Sequence, residues 1–176
     1  MKLTIETDRL QLIAGTVDIA KAEIKNRTEL SNLVNAFVPE SWPPELSNSA
    51  TMAYKLDRLQ EGVEQVGWWT WYIVFKGDPD STKTLIGNVY LKGLPDSDGE
   101  VEISYAILDT YKSKGFATEA VQGLLGYLFE NGLVRRVIAK TLPSLIASIR
   151  VLEKTGFQLK YPEPVEGTLY YEITTQ

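Results

Sequence analysis

Tyr111-Lys112-Ser113-Lys114-Gly115-Phe116-Ala117-Thr118-Glu119-Ala120 joins a segment of alternating apolar residues to one with helical spacing. Upstream, Val101, Ile103 and Tyr105 alternate with Glu100, Glu102 and Ser104, the period-two pattern of a strand over residues 100–108. Downstream, Ala117, Ala120, Val121, Leu124, Leu125 and Leu128 recur at intervals of three and four, which predicts a helix over residues 115–132. A strand that runs straight into a helix presents the helix's first, unpaired N–H groups at the junction, and such a row is suited to phosphate. Gly115 lets the backbone approach a ligand, Ala117 adds little bulk, and Lys112 and Lys114 add positive charge. The same composition also serves an ordinary capped strand–helix connection.

A second segment narrows the reading. Residues 144–157 run Ser-Leu-Ile-Ala-Ser-Ile-Arg-Val-Leu-Glu-Lys-Thr-Gly-Phe. Together the two segments resemble the GNAT superfamily of acyl-CoA-dependent N-acetyltransferases, and within it the RimJ/RimL type that acetylates protein N-termini. The first motif of that branch, Gln/Arg-x-x-Gly-x-Gly/Ala followed by Thr-Glu-Ala, becomes Lys112-x-x-Gly115-x-Ala117 and then Thr118-Glu119-Ala120. The second, Asn-x-x-Ser-x-Arg-Val-Leu-Glu-Lys-x-Gly-Phe, is met except at its first position, where Leu145 stands for Asn. The opening Glu6-Thr7-Asp8-Arg9-Leu10 is similar to the branch's first strand.

Length and composition fit one globular domain over residues 1–176. No apolar run approaches the roughly 18–20 residues of a membrane span, and the N-terminus lacks the apolar core of a signal peptide, so a cytoplasmic location is expected. With no cysteine and no histidine, an acyl-cysteine intermediate, a disulfide, a Ser–His–Asp triad and Cys/His zinc sites are all excluded. Acid–base chemistry falls to carboxylates, Tyr, Ser, Lys, backbone or water. The formal net charge of −5 and the lack of a basic arm do not support a nucleic-acid partner.

The remaining segments read in order. Residues 3–13 form a strand, and Thr16 caps a helix to about Ala36 that can break near Asn26–Thr28. A proline-rich loop around Trp42 follows, then a helix capped by Ser47 or Ser49 and ending near Gly62. Strands are expected over residues 67–76, 85–91, 133–140 and 169–173, and turns over 78–81 and 94–99. A last helix covers residues 144–155, closed by Gly156. The aromatics of residues 67–75 read mostly as core. The order is that of an α/β domain, a mixed central sheet flanked by helices, and it agrees with the GNAT arrangement.

The resemblance implies acetyl-CoA as co-substrate, with no metal, and an amine acceptor that is either a protein N-terminus or a small amine. Its pyrophosphate would meet Lys112, Ser113, Lys114, Gly115, Phe116, Ala117 and Thr118, and its arm would meet Ile103, Ala106, Ile107 and Ser144. An attacking ammonium must lose a proton, and the resemblance makes Glu102, on the strand before the loop where this branch often carries Glu, the leading candidate for general base, with Glu100 on the same strand face as the backup and substrate contact. Both also read as solvated carboxylates on a polar face. Ser148 would lie near the acyl sulfur, or bond its own helix carbonyl. The tyrosine that many relatives use as acid is replaced by Leu152, and Leu145 cannot make the pantetheine hydrogen bond of the family's Asn. Arg150 reads as helix surface. Trp42 either lines the acceptor pocket or packs over the sheet. The expectation is direct acetyl transfer in a ternary complex, with an acyl-CoA-binding module of little or no transfer activity as the alternative. Either monomer or homodimer is compatible with the sequence.

Overall fold

The computed structural model describes residues 3–45, 48–77, 81–161 and 163–175. Its elements are β1 (Thr4–Glu6), β2 (Leu10–Ala14), α1 (Val17–Lys25), α2 (Arg27–Val34), α3 (Ser49–Leu59), β3 (Thr70–Phe75), β4 (Thr84–Leu91), β5 (Glu100–Ile107), α4 (Phe116–Glu130), β6 (Arg136–Thr141), α5 (Ile146–Lys154), β7 (Gln158–Leu159) and β8 (Leu169–Thr174). The strands form one mixed sheet in the order β1-β2-β3-β4-β5-β6-β8-β7, antiparallel except for the parallel pair β5–β6.

Side-chain alternation divides the core between the two faces of this sheet. Leu10, Leu12, Trp71, Ile73, Val101 and Ile103 point to the face covered by α4 and α5, where Ala120, Val121, Leu124, Leu128 and Leu152 meet them. Ile13, Tyr72, Val74 and Leu85 point to the opposite face and pack on Ile19, Leu30, Val34 and Trp42. Each fully buried leucine contributes about 1.5–3 kcal/mol of transfer free energy, so the apolar spacing in α4 is what fixes that helix to the sheet.

The parallel pair matters most for function. Register runs from Glu100↔Arg136 to Ile103↔Ala139 and stops there. From Ser104 onward β5 pairs only with β4, while β6 continues to Thr141 against β8. Among the described residues, the two central strands thus diverge, leaving one edge of residues 104–107 without a strand partner.

Several expectations change. Residues 3–13 are two strands, not one, because Thr7 closes a hairpin: its N–H donates to the Leu10 carbonyl at 3.0 Å and its Oγ1 accepts from the Leu10 N–H at 3.1 Å. The long first helix does break at Asn26, whose extended backbone ends α1 while its side chain caps α2. The next helix is capped by Asn48 rather than by Ser49, through a 2.9 Å bond from the Thr51 N–H, and it ends at Leu59. Ser47 lies outside the described residues, as do residues 78–80 of the expected turn. The strand expected from Gly67 starts at Thr70, because residues 63–65 form a 3-10 turn. The strand expected from Leu133 starts at Arg136, since Leu133 is still held by the end of α4 through its N–H to the Leu128 carbonyl. The last helix starts at Ile146, because Leu142–Leu145 close a turn first. The two-residue β7 has no periodicity to announce it.

Candidate active site

The loop between β5 and α4 begins with a 3-10 turn, Asp109–Tyr111. Ser113 then adopts φ +63 and Gly115 φ +81, two left-handed residues that swing the chain into α4. Gly115 is the N-cap and makes no side-chain cap, so nothing within the helix satisfies the N–H groups of Phe116, Ala117 and Thr118. Ser113 holds a conformation that costs a non-glycine residue about 1–2 kcal/mol. Ser113→Gly is therefore expected to raise stability by roughly 0.5 kcal/mol, once the greater freedom of unfolded glycine is subtracted, as read from a denaturation midpoint.

Of the two loop lysines, Lys112 is already engaged. Its Nζ lies 2.6 Å from Asp109 and 3.7 Å from Glu45, and the hydrogen bond to Asp109 is the main reason its pKa is raised. Its N–H is bonded to the Asp109 carbonyl as well. Arg9, from the β1–β2 hairpin, brings a further cation to the loop. Its guanidinium lies 4.5 Å from the Phe116 ring centre, donates from Nε to Glu119 Oε2 at 2.7 Å, and donates to the Lys114 carbonyl at 3.0 Å. Thr7 Oγ1 and the Arg9 N–H both reach Glu119 Oε1, at 2.6 and 2.7 Å. The Thr7-Asp8-Arg9 segment thus clamps the first turn of α4. Arg9 and Thr7 lie 110 and 112 residues from Glu119 in the chain, and nothing local in the sequence joins them.

Partial burial raises the Glu119 pKa, but the hydrogen bonds from Thr7 and Arg9, with the charge of Arg9, outweigh it and leave the pKa below its ordinary 4.5. A depressed carboxylate contributes stability above its unfolded pKa and loses it as pH falls through the folded one. Wild type is thus expected to lose this contribution progressively below about pH 4.5, and Glu119→Gln to show a flatter acid limb in denaturation midpoints measured against pH.

The side chains of Ile103, Ile107 and Phe116 are buried in the α4-side core, so only their backbone atoms are available to a ligand. Ser148 lies in the first turn of α5, across the gap from β5. Tyr105 spans that gap: its hydroxyl donates to the Ser148 carbonyl at 3.0 Å and lies 3.3 Å from Ser148 Oγ. Burial pushes the Tyr105 phenol up to about 12, with the Ser148 contact opposing it. Leu152 is buried in the core, while Leu145 is half exposed at the N-cap of α5 and makes no cap. Ser144 is exposed beside it.

Glu102 and Glu100 face away from α4 and are both ion-paired. Glu102 is held by Lys92 and by Lys140, the latter at 3.2 Å, and Glu100 is held by Arg136 at 2.5 Å. Hydrogen bonding to Glu102 raises the Lys140 pKa. Trp42, a candidate pocket wall by sequence, packs in the core and is not among the residues that line the cavity beside it. It is buried, its ring centre 6.1 Å from that of Tyr72, because the bulky indole fills the space between that ring and the helices. Its neighbours Ser41, Pro43 and Pro44 line a cavity of about 140 Å³ against Ile107, Leu108 and Asp109, at the open end of β5.

The sequence profile of the acetyltransferase (GNAT) domain matches residues 19–158. A Bacillus subtilis (strain 168) protein described as the uncharacterized N-acetyltransferase YjdG is 26% identical over 157 residues, which is 89% of this chain and 90% of that protein. Among solved structures, the ribosomal-protein-S5-alanine acetyltransferase from Vibrio fischeri superposes with a TM-score of 0.66 at 18% identity, covering 98% of this chain and 96% of the other. RimL, a ribosomal L7/L12 alpha-N-protein acetyltransferase solved with coenzyme A, superposes with a TM-score of 0.64 at 16% identity, covering 98% of each. At these identities the two structures establish a shared fold.

Proposed function

Because the chain belongs to the GNAT acetyltransferase family, we propose that it transfers an acetyl group from acetyl-CoA to a primary amine by direct attack in a ternary complex. The observation that carries this reading is the divergence of β5 from β6 after Ile103, an open strand edge that the loop of residues 108–115 joins to the uncapped start of α4. The unpaired N–H groups of residues 116–118 and the Arg9 guanidinium suit a pyrophosphate. Leu145 does not suit the polar part of the arm. That the structure of RimL is a complex with coenzyme A supports the choice of co-substrate.

The partnerless edge of residues 104–107 is where backbone groups would polarise a thioester carbonyl. Ser148 is the proposed hydroxyl donor to the leaving sulfur, with Tyr105, whose own hydroxyl donates to the Ser148 carbonyl, holding it across the gap. Glu102 is the proposed proton acceptor, directly or through water, with Glu100 further from the gap; it acts only by loosening its hold on Lys92 or Lys140. The acceptor is an amine that fits beside Pro43 and Pro44, a protein N-terminus or a small amine. An α-amine, with a pKa of about 8, is easier to deprotonate than a lysine. One domain over the whole chain and a cytoplasmic setting complete the proposal.

A second reading is favoured by the bare Leu145 cap and the doubly held Glu102: a coenzyme A-binding domain with little transfer. Calorimetric titration with acetyl-CoA followed by thiol release with a panel of amines decides between them. Micromolar binding with amine-dependent thiol release establishes transfer; binding without release leaves the second reading. Given transfer, Glu102→Gln is expected to lower kcat by on the order of 100-fold with little change in acetyl-CoA affinity. An unchanged kcat would remove Glu102 from the chemistry.

A further inference from the structure

The sheet face turned away from α4 carries a polar cluster that the proposed chemistry does not use. Glu23 of α1 is inserted between α1 and β3, where its Oε2 accepts a 2.6 Å hydrogen bond from the Tyr72 hydroxyl. Its Oε1 is shut off from solvent and makes no well-aligned hydrogen bond among the described residues, although the Trp42 indole N–H lies close enough to stabilise the carboxylate. Lys55 of α3 reaches into the same space, and its Nζ lies 3.0 Å from the centre of the Tyr90 ring on β4. Among the described residues, no carboxylate lies within 4.0 Å of Lys55; Glu23 attracts it from further away.

The position of Tyr90 brings this amine near the gap. Tyr90 pairs with Ser104, the first β5 residue beyond the last β5–β6 pair. Strands are about 4.8 Å apart, so the residue whose ring carries the Lys55 amine is the immediate neighbour, across the sheet, of the first residue of the open edge. Lys55 is only partly exposed. Its surroundings also favour the reactive form. Burial lowers its pKa to about 7, with Glu23 opposing, while burial raises that of Glu23, against the hydrogen bond from Tyr72 and the charge of Lys55. An ordinary lysine, with a pKa near 10.4, keeps fewer than about one in a thousand of its amines neutral at pH 7. The lowering gives Lys55 a larger neutral fraction than an ordinary lysine, and only a neutral amine has the lone pair needed for attack.

We propose that the Lys55 amine is itself an acetyl acceptor, a self-acetylation site on the acceptor face of the sheet. The proposal rests on the acetyl-transfer reading above. In the step, the Nζ lone pair attacks the thioester carbonyl carbon. A C–N bond forms, the C–S bond breaks, coenzyme A leaves as thiolate, and the proton lost from nitrogen passes to water. The product is a neutral amide, so the cation is withdrawn from the Tyr90 ring and the added acetyl group occupies space on the acceptor face.

The test uses the full chain at pH 7 with acetyl-CoA and no added amine, followed by peptide mass mapping, with calorimetry of acetyl-CoA binding alongside. The expected result is one acetyl group at Lys55, formed at least about tenfold faster than at any other lysine, at a rate unchanged by dilution of the protein. Lys55→Arg, which keeps a cation over Tyr90, removes the mark and leaves acetyl-CoA binding intact. A limiting amount of an acetyl N-hydroxysuccinimide ester, which needs no coenzyme A site, is expected to label Lys55 first in the free protein. Measured acetyl-CoA binding with no preference for Lys55 overturns the inference and leaves the transfer reading standing. No binding at all overturns the transfer reading and the inference with it. Failure of the ester to prefer Lys55 overturns the reactivity on which the inference depends.

Discussion

Gly87→Ala is expected to lower stability by roughly 1–3 kcal/mol, the cost of overpacking a closed interior. Gly87 lies on β4 opposite Ile107 of β5. A Cβ placed there would stand 2.4 Å from the Ala106 carbonyl oxygen and 2.7 Å from Ile107 Cδ1. The first of these is backbone and has no rotamer by which to withdraw, so β5 itself must shift. The part that shifts, residues 106–107, is the segment proposed to meet the thioester arm. Stability and acetyl-CoA affinity should therefore fall together, the first read from urea unfolding and the second from calorimetry. A wild-type unfolding midpoint would mean that β4 and β5 do not pair in this register.

Gly115→Val tests the loop. Valine at φ +81 places a β-branched side chain in a region that costs L-residues about 1–3 kcal/mol when enforced. Its Cβ would also meet Arg9, whose nearest guanidinium nitrogen lies 3.4 Å from that point. The loop then either keeps its path under strain or abandons it, and the unpaired N–H groups of α4 lose their common aim in the second case. Acetyl-CoA affinity is expected to drop by about tenfold to a hundredfold, with unfolding made easier by about 1–2 kcal/mol. Undiminished affinity in a destabilised variant would place the pyrophosphate away from residues 113–118.

The two variants also separate what a local reading reaches from what it does not. The loop at Gly115 was legible because its signals are local: alternation up to Leu108, a glycine, then helical spacing from Ala117. The contact that makes Gly87 irreplaceable is not, since a glycine within an apolar run says nothing of which carbonyl passes beside it. The carboxylates tell the same story. Glu102 was proposed from its resemblance to the family's position before the loop, but Lys92 and Lys140 reach it from neighbouring segments, and those lysines decide how free it is to act. Trp42 was placed in the right loop, yet whether it lines a cavity or fills the core depended on Tyr72.

Sequence by itself determined the α/β class, a break of the first helix near Asn26–Thr28, a helix starting near Gly115, and the family motifs. Each of these follows from propensity, periodicity or capping among residues a few positions apart. Tertiary structure alone decided that Arg9 and Thr7 clamp Glu119, that Tyr105 bridges to Ser148, that β5 and β6 part after Ile103, and that Lys55 lies on Tyr90 near Glu23. The physical reason is common to all four. Desolvation, ion pairing and hydrogen-bond geometry depend on distances of a few ångströms, and here those distances are set by strand register and helix docking between segments far apart in the chain.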